Sequence, residues 1–252
     1  VKKVLKSPEP AEIKNYKKRY YSQFKRWNDL KKNKETLNAI RKTLVSDQKG
    51  LCAYCEINLH ERDRSVEHFI PCHTSTSEKN HDLDWLNMMA ICQGGLQNVE
   101  IPGEDDSIRN SRPPNNFPCC GAAKHGFIPD GQLLNPLNLP TLRLFKFSSK
   151  DGEIRPDEDA CLKSGIPIEN VQFTIDTLEL NVQRLKDQRL VVIDEIEKEL
   201  DDETIDINDL EEKVAAEYFG HGTDDWPPFF TTLRWVLGAG AERHLMNISY
   251  SG

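Results

Sequence analysis

The sequence predicts an α+β protein that is mostly helical. Three observations predict it: long stretches with an apolar residue every three or four positions, two short stretches in which apolar residues alternate, and a Cys-x-x-Cys pair followed by further cysteines. At 252 residues with 37% hydrophobic and 29% charged content, the chain can bury a real core in one domain or two closely packed ones. No window approaches the roughly 18 consecutive apolar residues of a membrane span, and the opening Val1-Lys2-Lys3-Val4-Leu5 lacks the apolar run of a signal peptide. The expectation is a cytoplasmic protein with no membrane partner.

Residues 1–49 are read as a basic, amphipathic helical arm. Ile13, Tyr16, Tyr20, Phe24, Trp27 and Leu30 recur at helical spacing and predict one helix from Glu9 to about Leu30. A second helix should bury Leu37, Ile40 and Leu44 and stop at Gly50, which suits the left-handed position after a helix C-terminus. Net charge is −8, yet residues 1–50 hold 15 Lys and Arg against 5 Asp and Glu, so this end carries +10 and the rest −18. Such a stretch suits phosphate attraction or simply a solvated helix face. The aromatic row is equally compatible with core and with a face for docking a partner or nucleic acid.

Residues 50–150 are read as the segment that carries chemistry. Val66, His68 and Ile70 alternate as in a strand beside the tight Cys52-Ala53-Tyr54-Cys55 turn. Asp82 to Asn87 suit a short helix or loop, residues 93–118 read as a long Gly-, Pro- and Asn-rich insertion, and Leu142 to Phe147 alternate as a strand.

Residues 151–252 are read as a helical C-terminal region packed on that segment. Ile175, Leu178, Val182, Leu185, Ile193 and Ile196 predict one long helix over Thr174–Leu200 with Thr174 as N-cap. Ile207, Leu210, Val214 and Tyr218 predict a helix capped near Asp206 or Asn208. A last helix should follow Pro227-Pro228 and bury Phe230, Leu233, Val236 and Leu237.

Seven cysteines, an odd number, in a chain of this size without a signal peptide point to metal ligation or burial rather than a disulfide framework. Cys52, Cys55, Cys92 and Cys120 supply four soft ligands, and a closed four-thiolate site is a structural zinc site. Cys119 competes with Cys120 for the fourth place, because the second pair is split across the insertion. A redox pair at Cys52 and Cys55 is the rival use, but that motif normally opens a helix after a strand. Cys72 and Cys161 suit small buried hydrophobes, and His60, His73, His81, His221 and His244 surface or structural roles.

Within Val66-Glu67-His68-Phe69-Ile70-Pro71 a carboxylate adjoins an imidazole. A strand that ends or bulges here can turn Glu67 toward a metal while His68 reaches a water. The order Cys-x-x-Cys, Glu67-His68, Asn87, Cys92, then Cys119-Cys120-Gly121-Ala122-Ala123-Lys124-His125 resembles the zinc-supported HNH nucleases over residues 51–126. The resemblance implies a ββα-metal core that holds a catalytic Mg²⁺ or Mn²⁺ beside a structural Zn²⁺. It implies Glu67 as the metal-binding acid, His68 as general base and Asn87 as the residue that orients the histidine and its loop. Gly121 stands where the family usually has Asn, so His125, one helical turn from it, becomes the substitute metal ligand.

Further residues widen the resemblance: Cys-x-Tyr-Cys-Glu, Leu133-Leu134-Asn135-Pro136, Asp151-Gly152-Glu153-Ile154 and Phe173 through Asn181, with Leu185 and Arg189. Over about residues 1–200 the chain is similar to the PtuB family, HNH subunits of Septu and certain retron anti-phage systems. That implies a PtuA-type ATPase partner, in retron versions a reverse transcriptase with its msDNA, and DNA as substrate. The alternative reading is a zinc-stabilised, non-catalytic adaptor that binds an ATPase and nucleic acid.

Overall fold

A computed structural model describes residues 1–60, 64–95, 117–201, 206–222 and 225–252. Nearly all of the 93–118 insertion lies outside the described residues. Among those described, the chain is mostly helical with two small antiparallel sheets, and no helix is long and apolar enough to cross a membrane.

The N-terminal helical pattern divides in two. Helix α1 (Ala11–Arg19) ends at Tyr20, and a single turn, α2 (Trp27–Leu30), follows a non-helical link. Periodicity survives the break because Ile13, Tyr16 and Leu30 all pack into the same buried cluster. Helix α3 (Lys34–Asp47) starts at Asn33, whose side chain accepts from Thr36 N–H at 3.1 Å. It buries Ile40, Leu44 and Thr36, leaves Leu37 half-buried, and is followed by Gly50 at φ +78°.

Strand β1 (Arg64–His68) pairs antiparallel with β2 (Met88–Cys92), placing Glu67 opposite Met89 and His68 opposite Met88. Between them Cys72–Thr74, His81–Leu83 and Trp85–Asn87 form single 3-10 turns. Every residue of β2 is buried, so it shows no alternation in sequence. Helix α4 (Cys120–Lys124) packs against β2, where Gly121 meets the Ile91 side chain.

The expected 142–147 strand is confined to β3 (Phe145–Phe147), paired with β4 (Ile154–Pro156). Helix α5 (Glu158–Ser164) follows. The single long helix expected over 174–200 is instead two, α6 (Ile168–Thr177) and α7 (Gln183–Glu199). Thr174 therefore lies inside α6, where its hydroxyl bonds Asn170 O and accepts from Leu134 N–H. Glu179 at φ +49° turns the chain between them, and Asn181 locks the link by pairing both its amide atoms with the Ile154 backbone. Helices α8 (Ile207–Phe219), α9 (Phe230–Val236) and α10 (Gly238–Asn247) complete the chain. Leu210, Val214, Phe219, Trp226, Phe230, Leu233 and Leu245 share a second buried cluster.

Candidate functional site

The cysteine cluster is built from three chain segments. The Cys52–Cys55 turn is closed by Cys52 N–H to Ile57 O at 2.9 Å and is laid against β2 by Ala53 N–H to Ala90 O at 3.1 Å. Gln48, buried, clips the same region by bonding both the N–H and the C=O of Ala90 at 2.7 Å. Cys92 ends β2, and Cys120 opens α4.

The Sγ atoms of Cys52, Cys55, Cys92 and Cys120 all lie within 4.8 Å of one another, and all four residues are buried. Cys52 to Cys120 is 3.9 Å and Cys55 to Cys92 is 3.7 Å. Zn–S bonds of about 2.3 Å in a tetrahedron put neighbouring sulfurs about 3.8 Å apart, whereas a disulfide holds them at about 2.05 Å. The donor set and its spacing fit a four-thiolate zinc site. Cys119 is outside the quartet. Its Sγ lies 3.2 Å from that of Cys120 and receives a bond from Arg184 Nη2 at 2.8 Å. Arg184 also bonds Gly94 O at 2.8 Å, and Cys119 N–H reaches the same carbonyl at 3.2 Å, so the two ends of the insertion are fastened together. Of the other two cysteines, Cys161 is buried and Cys72 half-buried.

One edge of this cluster supports the Glu67-His68 pair. No bulge interrupts the register of β1, so the two side chains leave opposite faces as the strand ends. Glu67 passes over the start of α4, where a Cβ on Gly121 would come within 2.8 Å of Oε2. Its Oε1 sits 2.9 Å from Nζ of buried Lys124, which also donates to His68 O at 3.2 Å. Burial raises the Glu67 pKa against the opposing pull of Lys124.

His68 lies on the other face, buried, with the Trp27 ring edge-on at 4.8 Å. Its Nε2 is 3.0 Å from Asp82 O. Burial lowers its pKa, which favours the neutral ring. Asp82 is itself a junction: its carboxylate accepts from Trp27 N–H at 2.7 Å, Arg26 Nε at 2.9 Å and the Ser75 hydroxyl. Burial pushes this carboxyl up, but those bonds outweigh it and hold it below its usual range.

Asn87 is buried, and among the described residues its side-chain hydrogen bonds go to neither Glu67 nor His68. Its Oδ1 accepts from Ile70 N–H at 2.7 Å, and its Nδ2 donates to Ile70 O and His81 O, both at 2.9 Å, which fastens the chain just beyond His68 to the turn before β2. His125 is exposed past the end of α4 at φ +49°. Among the described residues no ion pair joins it to Glu67; Lys124, its neighbour in sequence, takes that place. Nor, among them, is there a second group of three His, Cys, Asp or Glu ligands as close together as the cysteine quartet. From sequence alone Asp82, Lys124 and Arg184 had no place at this site, and Trp27 only one in the aromatic row, because each meets a partner distant along the chain.

No family model matches the chain. A curated protein of Escherichia coli, the "Retron Ec83 putative HNH endonuclease", is 30% identical over 185 residues, covering 65% of this chain and 68% of that protein. The chain belongs to this HNH endonuclease family. The four buried cysteines are positioned to hold a metal ion, with the end of the β1–β2 pair and α4 beside them.

Proposed function

We propose that the protein is a metal-dependent HNH endonuclease that hydrolyses phosphodiester bonds of DNA as the nuclease effector of a retron-type anti-phage system. The observation that carries this reading is the buried His68, its Nε2 3.0 Å from Asp82 O, at the end of a strand pair beside four clustered cysteines.

A carbonyl only accepts, so His68 Nε2 carries the ring proton and Nδ1 keeps its lone pair. Nδ1 is the atom that takes the proton from the attacking water, a role typically worth about 10²–10⁴-fold. Asn87 holds the loop that carries this ring, and Lys124 holds the His68 carbonyl and the Glu67 carboxylate together. Glu67, with exposed His125 as candidate second ligand, would hold Mg²⁺ or Mn²⁺, which would supply neutralisation of charge on the scissile phosphate and the leaving oxygen. The zinc quartet Cys52, Cys55, Cys92 and Cys120 takes no part in the reaction and supports the hairpin.

By analogy with the PtuB family, a PtuA-type ATPase is the proposed partner, with a reverse transcriptase and its msDNA in a retron setting. The test is nicking of supercoiled plasmid with Mg²⁺ or Mn²⁺ and with EDTA, by the wild type, Glu67→Gln and His68→Ala. Metal-dependent nicking lost in both variants supports the reading. Equal nicking by all three, or none by the wild type alone and with its ATPase, rejects it in favour of the non-catalytic adaptor.

A further inference from the structure

The helical break after α1 exposes part of the aromatic-rich segment beside the candidate active centre. Tyr21 is 88% and Phe24 44% exposed, while Tyr16 is buried and Trp27 is half-buried against His68. Cations sit among these rings: the Arg26 guanidinium lies 5.4 Å from the Phe24 centroid, and Lys25 Nζ and Arg19 lie 4.9 Å and 5.6 Å from that of Tyr20. Over residues 13–34 there are nine Lys and Arg against the one acidic Asp29. Large apolar rings left in water at the centre of so positive a stretch contribute nothing to the core. A partner that offers flat π-faces together with phosphates satisfies both features at once.

We propose that Tyr21 and Phe24, with Arg19, Lys25 and Arg26, form a stacking platform for unpaired bases of single-stranded nucleic acid, next to His68. Continuity with the candidate centre is direct. Arg26 and the Trp27 N–H both bind the Asp82 carboxylate, and Asp82 O binds the His68 ring. A strand laid on this corner is thereby delivered to the imidazole. An unpaired strand fits better than a duplex, whose bases are already stacked on one another and present no free face to an aromatic ring. The proposal rests on the nuclease reading only for what happens after binding.

The experiment measures binding of a fluorescent 20-nucleotide single-stranded DNA, the same sequence as RNA, and its duplex DNA, by anisotropy in EDTA. The proteins are the full-length His68→Ala chain with and without Tyr21→Ala and Phe24→Ala, all checked for equal melting temperature. Base–aromatic stacking predicts that the single strands bind more tightly than the duplex and that the double aromatic substitution weakens them by at least about tenfold, with the duplex nearly unchanged. Replacing Lys25 with Gln should flatten the salt dependence of single-strand binding. Unchanged single-strand affinity in the aromatic variant overturns the platform and leaves the face to a protein partner. Because binding is read without cleavage, a platform that holds while plasmid nicking fails, or the reverse, separates this proposal from the nuclease assignment.

Discussion

His68 Nε2 points at Asp82 O from 3.0 Å, while the Asp82 carboxylate gathers Trp27 N–H, Arg26 and Ser75. One residue thus joins the N-terminal segment to the imidazole: its backbone fixes the ring and its side chain fixes its backbone. Asp82→Ala leaves those three donors without their acceptor and is expected to destabilise the fold by about 2–3 kcal/mol in urea denaturation. Cleavage should fall further than stability explains, and Asp82→Asn, which keeps the shape, should recover part of both. Full activity in Asp82→Ala would remove Asp82 from the account.

The pH dependence follows from the burial that lowers the His68 pKa. In the unfolded chain a histidine titrates near 6.5; in the native protein the ring stays neutral to lower pH. Below about pH 6.5 the unfolded state therefore binds a proton that the native state refuses, so stability falls as pH drops through the window between 6.5 and the native value and is unaffected above it. The acid limb of the cleavage profile should have its midpoint below 6.5. Urea midpoints at several pH values for the wild type and His68→Gln check the stability half, since the variant should lose the slope.

Metal content distinguishes the two adjacent cysteines. Cys119→Ser should retain one zinc per chain by elemental analysis, and Cys120→Ser should lose it together with much of the cooperative unfolding transition. The reverse outcome would exchange their roles.

Gly121 sits where a methyl group would come within 2.3 Å of Ile91 Cδ1 and 2.8 Å of Glu67 Oε2. Both are far ends of flexible side chains, so Gly121→Ala should cost only about 1–2 kcal/mol in stability while pushing the Glu67 carboxylate aside. Cleavage should fall at least tenfold and need more Mg²⁺. A purely structural glycine would lose stability with no change in metal dependence.

The cysteine quartet was legible in sequence because a soft ligand shows its chemistry in its identity, whereas Glu67-His68, by itself an ordinary pair for a half-buried strand, stood out only through its place in the order of cysteines and Asn87. What escaped was tertiary. Strand β2 hid in an unbroken apolar run, and the break between α6 and α7 depends on Asn181 meeting Ile154. The α1–α2 break was masked because Ile13, Tyr16 and Leu30 still share one core. Asp82 and Lys124 could not be ranked from sequence, since all their partners named above except Ser75 lie 14 to 57 positions away along the chain.

The most direct test is chemical rescue of His68→Gly. With the folded, zinc-loaded variant, plasmid cleavage in Mg²⁺ should be about 10²–10⁴-fold slower than wild type, and added imidazole should restore part of the rate in proportion to its neutral fraction. Wild-type speed in His68→Gly without imidazole would contradict the assignment of His68 as the base.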